Sequence, residues 1–162
     1  MLETTYYDCP FGLLEIKGSE LGLHSVKKVE KAMYDYYDPP KSLKPVVKQL
    51  DEYFNKKRKD FKLKLDWGGN SDFYKSVWNE LIQIPYGHTT SYLKIAEKIG
   101  NPKAVRAVGM ANRNNPIAII VPCHRVIASN GKLQGYFYGL DIKRQLLELE
   151  NPDSFAEQGS LF

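Results

Sequence analysis

The first thirty positions hold three short strand-like runs, 4–8, 13–17 and 23–29, in which apolar and polar residues alternate only in part, as in Leu14-Glu15-Ile16-Lys17. Pro10-Phe11-Gly12 and the stretch 18–22 supply turns between them. The opening third therefore reads as a β-meander. Asp38-Pro39-Pro40 breaks the chain, after which Leu43, Val47, Leu50 and Phe54 recur at helical spacing. That spacing predicts a helix over 42–55 with Ser42 near its N-cap. Phe61, Leu63 and Leu65 alternate with charged residues and predict one more strand. Gly68-Gly69-Asn70 is the expected boundary between a domain 1–68 and a domain 69–162.

Beyond residue 70 the period changes to that of helices. Ser71 is placed to cap a helix showing Phe73, Val77, Trp78 and Leu81 on one face, which must stop before Pro85-Tyr86-Gly87. A second helix, 91–99, ends at Gly100, a good residue to close a helix. Asn101 offers an N-cap and Pro102 a first helical residue for a third, 102–113. Helix, glycine, tight turn, helix is the pattern of a helix-turn-helix, although many helical hairpins bind nothing. Asn114-Asn115-Pro116 ends this pair. The wholly apolar run 117–121 is expected to be buried and extended. Ser129-Asn130-Gly131 predicts a hairpin turn between 126–127 and 132–133. A last helix, 140–150, turns Leu146, Leu147 and Leu149 to the core and carries Glu150 at its end.

A chain of 162 residues suits one ordinary domain or two small ones sharing a core. With 43% hydrophobic and 26% charged residues it is globular rather than disordered. It has no 18-residue apolar run for a membrane span and no basic-then-apolar leader at its start. The net charge of +4 is unevenly spread. Between Thr89 and Lys132 stand Lys94, Lys98, Lys103, Arg106, Arg113, Arg125 and Lys132 against Glu97 alone. The tail carries Asp141, Glu148, Glu150, Asp153 and Glu157 against Lys143 and Arg144. A local basic band suits a polyanion such as nucleic acid, and equally an unevenly charged solvated surface. The helix KAVRAVGMAN is small-sided except for Arg106 and Met110, which suits either entry into a groove or close helix packing.

The two cysteines, Cys9 and Cys123, lie far apart and do not form a metal-type pair. No metal and no cofactor are expected, and reduced thiols in an intracellular chain are preferred to a Cys9–Cys123 disulfide. Cys123 stands in Ile-Val-Pro-Cys-His-Arg-Val, residues 120–126. A free cysteine has a pKa near 8.5, and a neighbouring base or cation raises its thiolate fraction. In an extended run His124 would point away from Cys123, so a bend or bridging water would be needed. A small buried thiol without chemistry fits the pair as well.

The surrounding residues add to that reading. PCHRV, preceded by Asn115-Pro116, resembles the active-site signature of the O6-alkylguanine-DNA alkyltransferases, also called methylated-DNA–protein-cysteine methyltransferases. TTSYLKIAEKIGNPKAVRAVGMANRNNP is similar to that family's helix-turn-helix, and VIASNGKLQGY and GLDIKRQLLELE to the segments after its cysteine. The similarity is specific over 85–151 and architectural over 1–68.

The resemblance implies a ribonuclease-H-like α/β domain followed by a mainly helical, winged helix-turn-helix-like domain. It implies direct reversal of DNA damage, with the alkyl group of a flipped-out O6-alkylguanine passing irreversibly to Cys123, once per molecule. His124 would act as base through a water, Glu150 would orient it, and Tyr92 would hydrogen bond guanine N3. Arg106 would replace the base in the stack, and Asn115 would tie the helix pair to the active-site segment. Thr90, Ala107, Gly109, Arg113 and Arg125 would meet DNA. The carbonyls of Cys123 and Val126 would recognise the exocyclic amine, Tyr136 would line the pocket and the Phe137 N–H would reach O6. The implied partner is double-stranded DNA, entered by the minor groove with little sequence specificity, and the implied form is a cytoplasmic (in a eukaryote, nuclear) monomer. A non-enzymatic lesion-binding protein on the same scaffold is the alternative, one that ordinarily replaces the cysteine.

Two positions depart from the pattern. Phe137 and Tyr138 stand where the family has small residues, which predicts a narrowed pocket favouring methyl over benzyl groups. Ala118 stands where some relatives have proline, which predicts a looser active-site segment.

Overall fold

The computed structural model describes residues 1–133 and 135–153. Glu157, counted above in the acidic tail, and Gln134 lie outside them. The chain forms two compact units, Met1–Gly69 with Pro116–Ala118, and Asn70–Asn115 with the residues from Ile119 onward.

In the first unit, β1 (Glu3–Cys9), β2 (Gly12–Ser19) and β3 (Gly22–Val29) form an antiparallel sheet in the order β1-β2-β3. Thr5 pairs with Ile16 and Ile16 with Val26, so the alternation read from the sequence sets which face is buried. Gly22 turns at φ 138°, and a Cβ there would lie 2.9 Å from the carbonyl carbon of Leu65, so the turn requires glycine. Helix α1 (Lys44–Phe54) buries Val46, Leu50 and Tyr53. It begins two residues later than expected. Leu43 occupies the cap position without a side-chain bond, because the Ser42 hydroxyl donates instead to Glu3 Oε1 at 2.6 Å.

Residues 61–65 do not form the expected strand. They make one parallel bridge, Leu65 to Leu23, where the Leu23 N–H donates to Lys64 and the Asp66 N–H to Leu23, both at 2.8 Å. The Lys62 backbone is satisfied by a side chain instead. Gln49 accepts from its N–H at 2.9 Å and donates to its carbonyl at 3.1 Å, which substitutes for a neighbouring strand. A second bridge joins Ile117 to Val26. There the Ala118 N–H donates to the Val26 carbonyl at 3.2 Å, a bond proline cannot make, so alanine anchors this segment rather than loosening it.

The second unit contains α2 (Asp72–Ile82), β4 (Thr90–Ser91), α3 (Tyr92–Lys98), α4 (Val105–Arg113), a short 3-10 turn at Cys123–Arg125, β5 (Val126–Ile127) and α5 (Leu140–Glu150). Ser71 caps α2 by accepting from the Tyr74 N–H at 3.2 Å, and Ser91 caps α3 by accepting from Lys94 at 3.1 Å. Gly100, at φ 85°, ends α3. Helix α4 starts later than Pro102 because residues 101–104 first close a turn, the Ala104 N–H donating to the Asn101 carbonyl at 2.9 Å. Ala104, not Asn101, is its cap residue. The Trp78 indole N–H donates to the Ala111 carbonyl at 2.8 Å and pins α2 to α4.

The turn at Ser129-Asn130-Gly131 is present, with the Gly131 N–H on Ala128 at 2.9 Å. Past it the Ala128 N–H donates to the Lys132 carbonyl at 3.2 Å, but residues 132–133 form no strand among the described residues. Strand β5 pairs in parallel with β4, Thr90 to Val126 and Ser91 to Ile127. No helix among the described residues is long and apolar enough to cross a membrane.

Candidate active site

The segment that delivers Cys123 is buried from Ile117 to Ile127, as its composition predicts, but it is turned rather than extended. Ile119 sits at φ 73°, where a β-branched side chain costs about 1–3 kcal/mol and persists only if the surroundings hold it. Two asparagines on the helix-turn-helix side do so. Asn115 Nδ2 donates to the Val121 carbonyl at 2.8 Å, and Asn112 Nδ2 to the Cys123 carbonyl at 3.3 Å. The Cys123 N–H folds back onto Val121 at 2.8 Å, starting the 3-10 turn. This bend removes the alternation that would have sent Cys123 and His124 to opposite faces.

His124 and Glu150 come together across the turn and the end of α5, with Nε2 and Oε2 2.7 Å apart and both side chains fully buried. Arg125 joins them. Its Nε lies 2.7 Å from Oε1 and its Nη2 3.0 Å from Oε2, a two-pronged pairing, while Nη1 donates to the Ile84 carbonyl at 2.6 Å. Arg125 is only 6% exposed, so the expectation that it contacts DNA is corrected: its guanidinium is spent inside the site.

Burial alone would raise the Glu150 pKa, but the attraction and hydrogen bonds of His124 and Arg125 outweigh it and hold the carboxyl well below the usual range. Burial pushes the His124 pKa down against the pull of Glu150, so the ring is neutral at pH 7. A carboxylate only accepts, so the neutral ring carries its proton on Nε2. Nδ1, buried with no hydrogen-bond partner among the described residues, keeps its lone pair. A base is thereby formed one residue from the thiol.

Cys123 is 6% exposed. Burial pushes its thiol pKa up, partly opposed by a hydrogen bond from Asn115 and by the charge of Lys143. Lys143 is fully buried, and its ammonium donates to the Val126 carbonyl and, at 3.4 Å, to that of Gly135. Desolvation lowers its pKa to about 8, against the pull of Cys123. Tyr92 opens α3, and its hydroxyl donates to the Gly135 carbonyl at 3.4 Å. Burial, then the proximity of Cys123, raises its pKa to about 12, so it stays a proton donor.

Tyr92, Val105, Arg106, Gly109, Met110, Arg113 and Gly135 line a cleft of about 490 Å³ in this unit. Arg106 and Ala107 are exposed on α4, whose other side buries Val108, Ala111 and Asn112. A side chain added at Gly109 would meet nothing within 4 Å, so the helix is thin on its open side. Of the seven basic residues counted between Thr89 and Lys132, all but Arg125 are exposed. Thr90 is half-buried in β4 and Val126 buried in β5. The Cys123 carbonyl accepts from Asn112 Nδ2 and from the Val126 N–H, and the Val126 carbonyl accepts from Lys143. Tyr136 is buried, Tyr138 half-buried and Phe137 exposed.

Sequence reading overlooked Asn112, Lys143 and the inward role of Arg125. Two of these had a signal. Lys143 lies three, four and seven residues before Leu146, Leu147 and Glu150, on the buried stripe of α5, and Asn112 follows Val108 and Ala111 on that of α4.

Comparison with known proteins agrees across the whole chain. Residues 72–152 match the model of the 6-O-methylguanine DNA methyltransferase DNA-binding domain, and residues 2–67 that of the same family's ribonuclease-like domain. A methylated-DNA–protein-cysteine methyltransferase of Methanosarcina barkeri is 49% identical over 153 residues, covering 90% of this chain and 96% of its own. One of Mycolicibacterium paratuberculosis is 46% identical over 160 residues, covering 96% of each. The crystal structure of the Mycobacterium tuberculosis O6-methylguanine methyltransferase superposes with TM-score 0.83 at 43% identity over 97% of both chains. A structure of that protein in complex with DNA gives 0.82 at 44% identity, over 92% of this chain and 93% of its own.

Proposed function

Since the chain belongs to the 6-O-methylguanine DNA methyltransferase family, the methylated-DNA–protein-cysteine methyltransferases, we propose that it repairs duplex DNA by moving the alkyl group of O6-alkylguanine onto Cys123. The observation that carries this reading is the buried thiol held one residue from a neutral imidazole, itself fixed by Glu150 at 2.7 Å.

The lesion lies inside the base stack, so it must be extruded to meet a buried thiol, at a cost of a few kcal/mol. Arg106, exposed on the thin face of α4, fills the gap from the minor groove. The exposed lysines and arginines meet phosphates, so binding weakens with salt and reads little sequence. His124 Nδ1 takes the thiol proton through a water. The sulfur then attacks the alkyl carbon, a C–S bond forms, and the C–O6 bond breaks with its electron pair passing into the guanine ring. Tyr92, kept protonated, donates a hydrogen bond to N3 while that charge develops. The departing guanine ends with the proton the thiol gave up. Water does not displace a thiolate from an alkyl carbon, so each molecule acts once. The protein works as a monomer in the compartment holding the DNA, the cytoplasm or a nucleus.

The test is the intact mass after incubation with a duplex carrying one O6-methylguanine. The expected result is a stoichiometric gain of one methylene mapped to the Cys123 peptide. Lesion-selective binding without that gain would overturn transfer in favour of a lesion sensor, and neither result would leave the fold without the activity.

A further inference from the structure

Two buried side-chain atoms among the described residues of the second unit have no hydrogen-bond partner, Asn112 Oδ1 and His124 Nδ1. Asn112 is 3% exposed and His124 0%, so bulk water serves neither. Both side chains flank the thiol. His124 follows Cys123 in the chain, and Asn112 Nδ2 donates to the Cys123 carbonyl at 3.3 Å. A buried polar atom left unmet is costly, and two beside one nucleophile point to a common partner.

The chemical nature of both atoms is fixed. A carbonyl only accepts, so the Asn112 amide turns its nitrogen to Cys123, and its other atom is the oxygen. His124 carries its proton on Nε2, toward Glu150, so Nδ1 offers a lone pair. Two acceptors do not bond each other. A molecule with two O–H groups serves both.

We propose that Asn112 is the residue that positions the water linking Cys123 to His124. This rests on the alkyl-transfer reading, in which that water passes the thiol proton to Nδ1, and it assigns the water's third contact. The thiol S–H donates to the water oxygen, and one O–H of the water donates to Nδ1. As the thiol proton moves onto the oxygen, the water's own proton moves onto the imidazole. A water is restored, and thiolate and imidazolium remain. The second O–H takes no part in the transfer. Asn112 Oδ1 accepts it and so fixes the water's orientation, and three partners are the usual number for a buried water. Asn112 lies on α4, so the helix that exposes Arg106 on its open side sets the proton path on its buried side.

Two measurements test this. A high-resolution crystal structure of the unaltered protein should show an ordered water within hydrogen-bond distance of both Asn112 Oδ1 and His124 Nδ1. A water reaching His124 alone, or none at either atom, would overturn the assignment, and this holds even if no variant folds. N112L, similar in volume but without the oxygen, is compared by single-turnover methylation of Cys123 from an O6-methylguanine duplex. It should react about twofold to tenfold slower at pH 7, the worth of one hydrogen bond. Its pH profile should change as well. With the relay in place the neutral thiol is the reactant, and the rate is nearly level from pH 7 to 8. Without it the rate follows the free thiolate and climbs toward about tenfold per pH unit. A residue that only braces the Cys123 carbonyl would lower the melting temperature and the rate but leave the profile level. That outcome, or an N112L protein that reacts as the unaltered one does, overturns the proposal while the alkyl-transfer reading stands. If the unaltered protein takes no methyl group from the duplex, the alkyl-transfer reading itself has failed.

Discussion

Changing Glu150 to glutamine keeps the size of the side chain and removes its charge, and two effects of different origin should follow. The carboxylate receives His124 Nε2 at 2.7 Å and Arg125 at 2.7 and 3.0 Å, with no solvent access of its own. In E150Q the buried guanidinium loses its counter-charge, a loss that costs about 3–5 kcal/mol. For a chain of this length, at about 2–4 °C per kcal/mol, the melting temperature should fall by roughly 10 °C. The second effect is on the base. An amide nitrogen facing Nε2 favours the tautomer with the proton on Nδ1, which cannot accept from the thiol, and the loss of a general base costs about 10²–10⁴ in rate. The double variant R125M/E150Q separates the two. It removes the stranded cation and should recover part of the melting temperature, the exposed need of the Ile84 carbonyl limiting the gain, while transfer stays slow. Thermal unfolding and single-turnover methylation read the two quantities. Full recovery of both in the double variant, or an E150Q protein that melts and reacts as the unaltered one does, would refute the coupling of base and ion pair.

Three further outcomes follow from the same geometry. Lys143→Met removes the donor to the Val126 and Gly135 carbonyls and the cation beside the thiol; the pH dependence of Cys123 alkylation by iodoacetamide should move upward, and methyl transfer at pH 7 should slow by about tenfold per pKa unit gained. Acid should destabilise the protein in two stages, because the folded state holds both His124 and Glu150 below their ordinary pKa and so binds fewer protons than the unfolded chain. The contribution of this pair is full above about pH 6.5, declines below it as the unfolded histidine charges, and declines again below about 4.3 as the unfolded glutamate does; a urea midpoint that is flat between about pH 7 and 5 would count against a buried neutral imidazole. Asn115→Ala removes one of the two donors to the Val121 carbonyl, the Cys123 N–H remaining, and should cost about 0.5–1.5 kcal/mol by denaturant unfolding, with slower transfer.

What could be read from the sequence is what neighbours along the chain decide. The three-strand meander follows from alternation and its turns, the serine caps from Ser71 and Ser91, and α5 from its leucines. Cys123, His124 and Glu150 were linked by resemblance to a family signature, and the last two do meet. The misreadings share a cause, in that the partner lay elsewhere in the chain. Residues 61–65 look like a strand, but Gln49 satisfies Lys62. Residues 126–127 look like half a hairpin, but β4 takes their ladder. Arg125 looks like part of a basic surface, and only Glu150, far along the chain, shows it to be internal. Ser42 looks like a cap, but Glu3 claims its hydroxyl.

Strand β3 pairs with β2 along one side only, and its other side would otherwise be an open row of backbone donors and acceptors. Two single-residue bridges, Leu65 on Leu23 and Ile117 on Val26, blunt that row. Neither is a strand, and each is short enough to end pairing rather than extend it. The β3 edge is thereby denied to a second molecule. A fragment stopping short of residue 65 would lose both stoppers and present the β3 edge for stacking with its own copies, so the bridges that close this side of the fold also keep that edge from templating fibres.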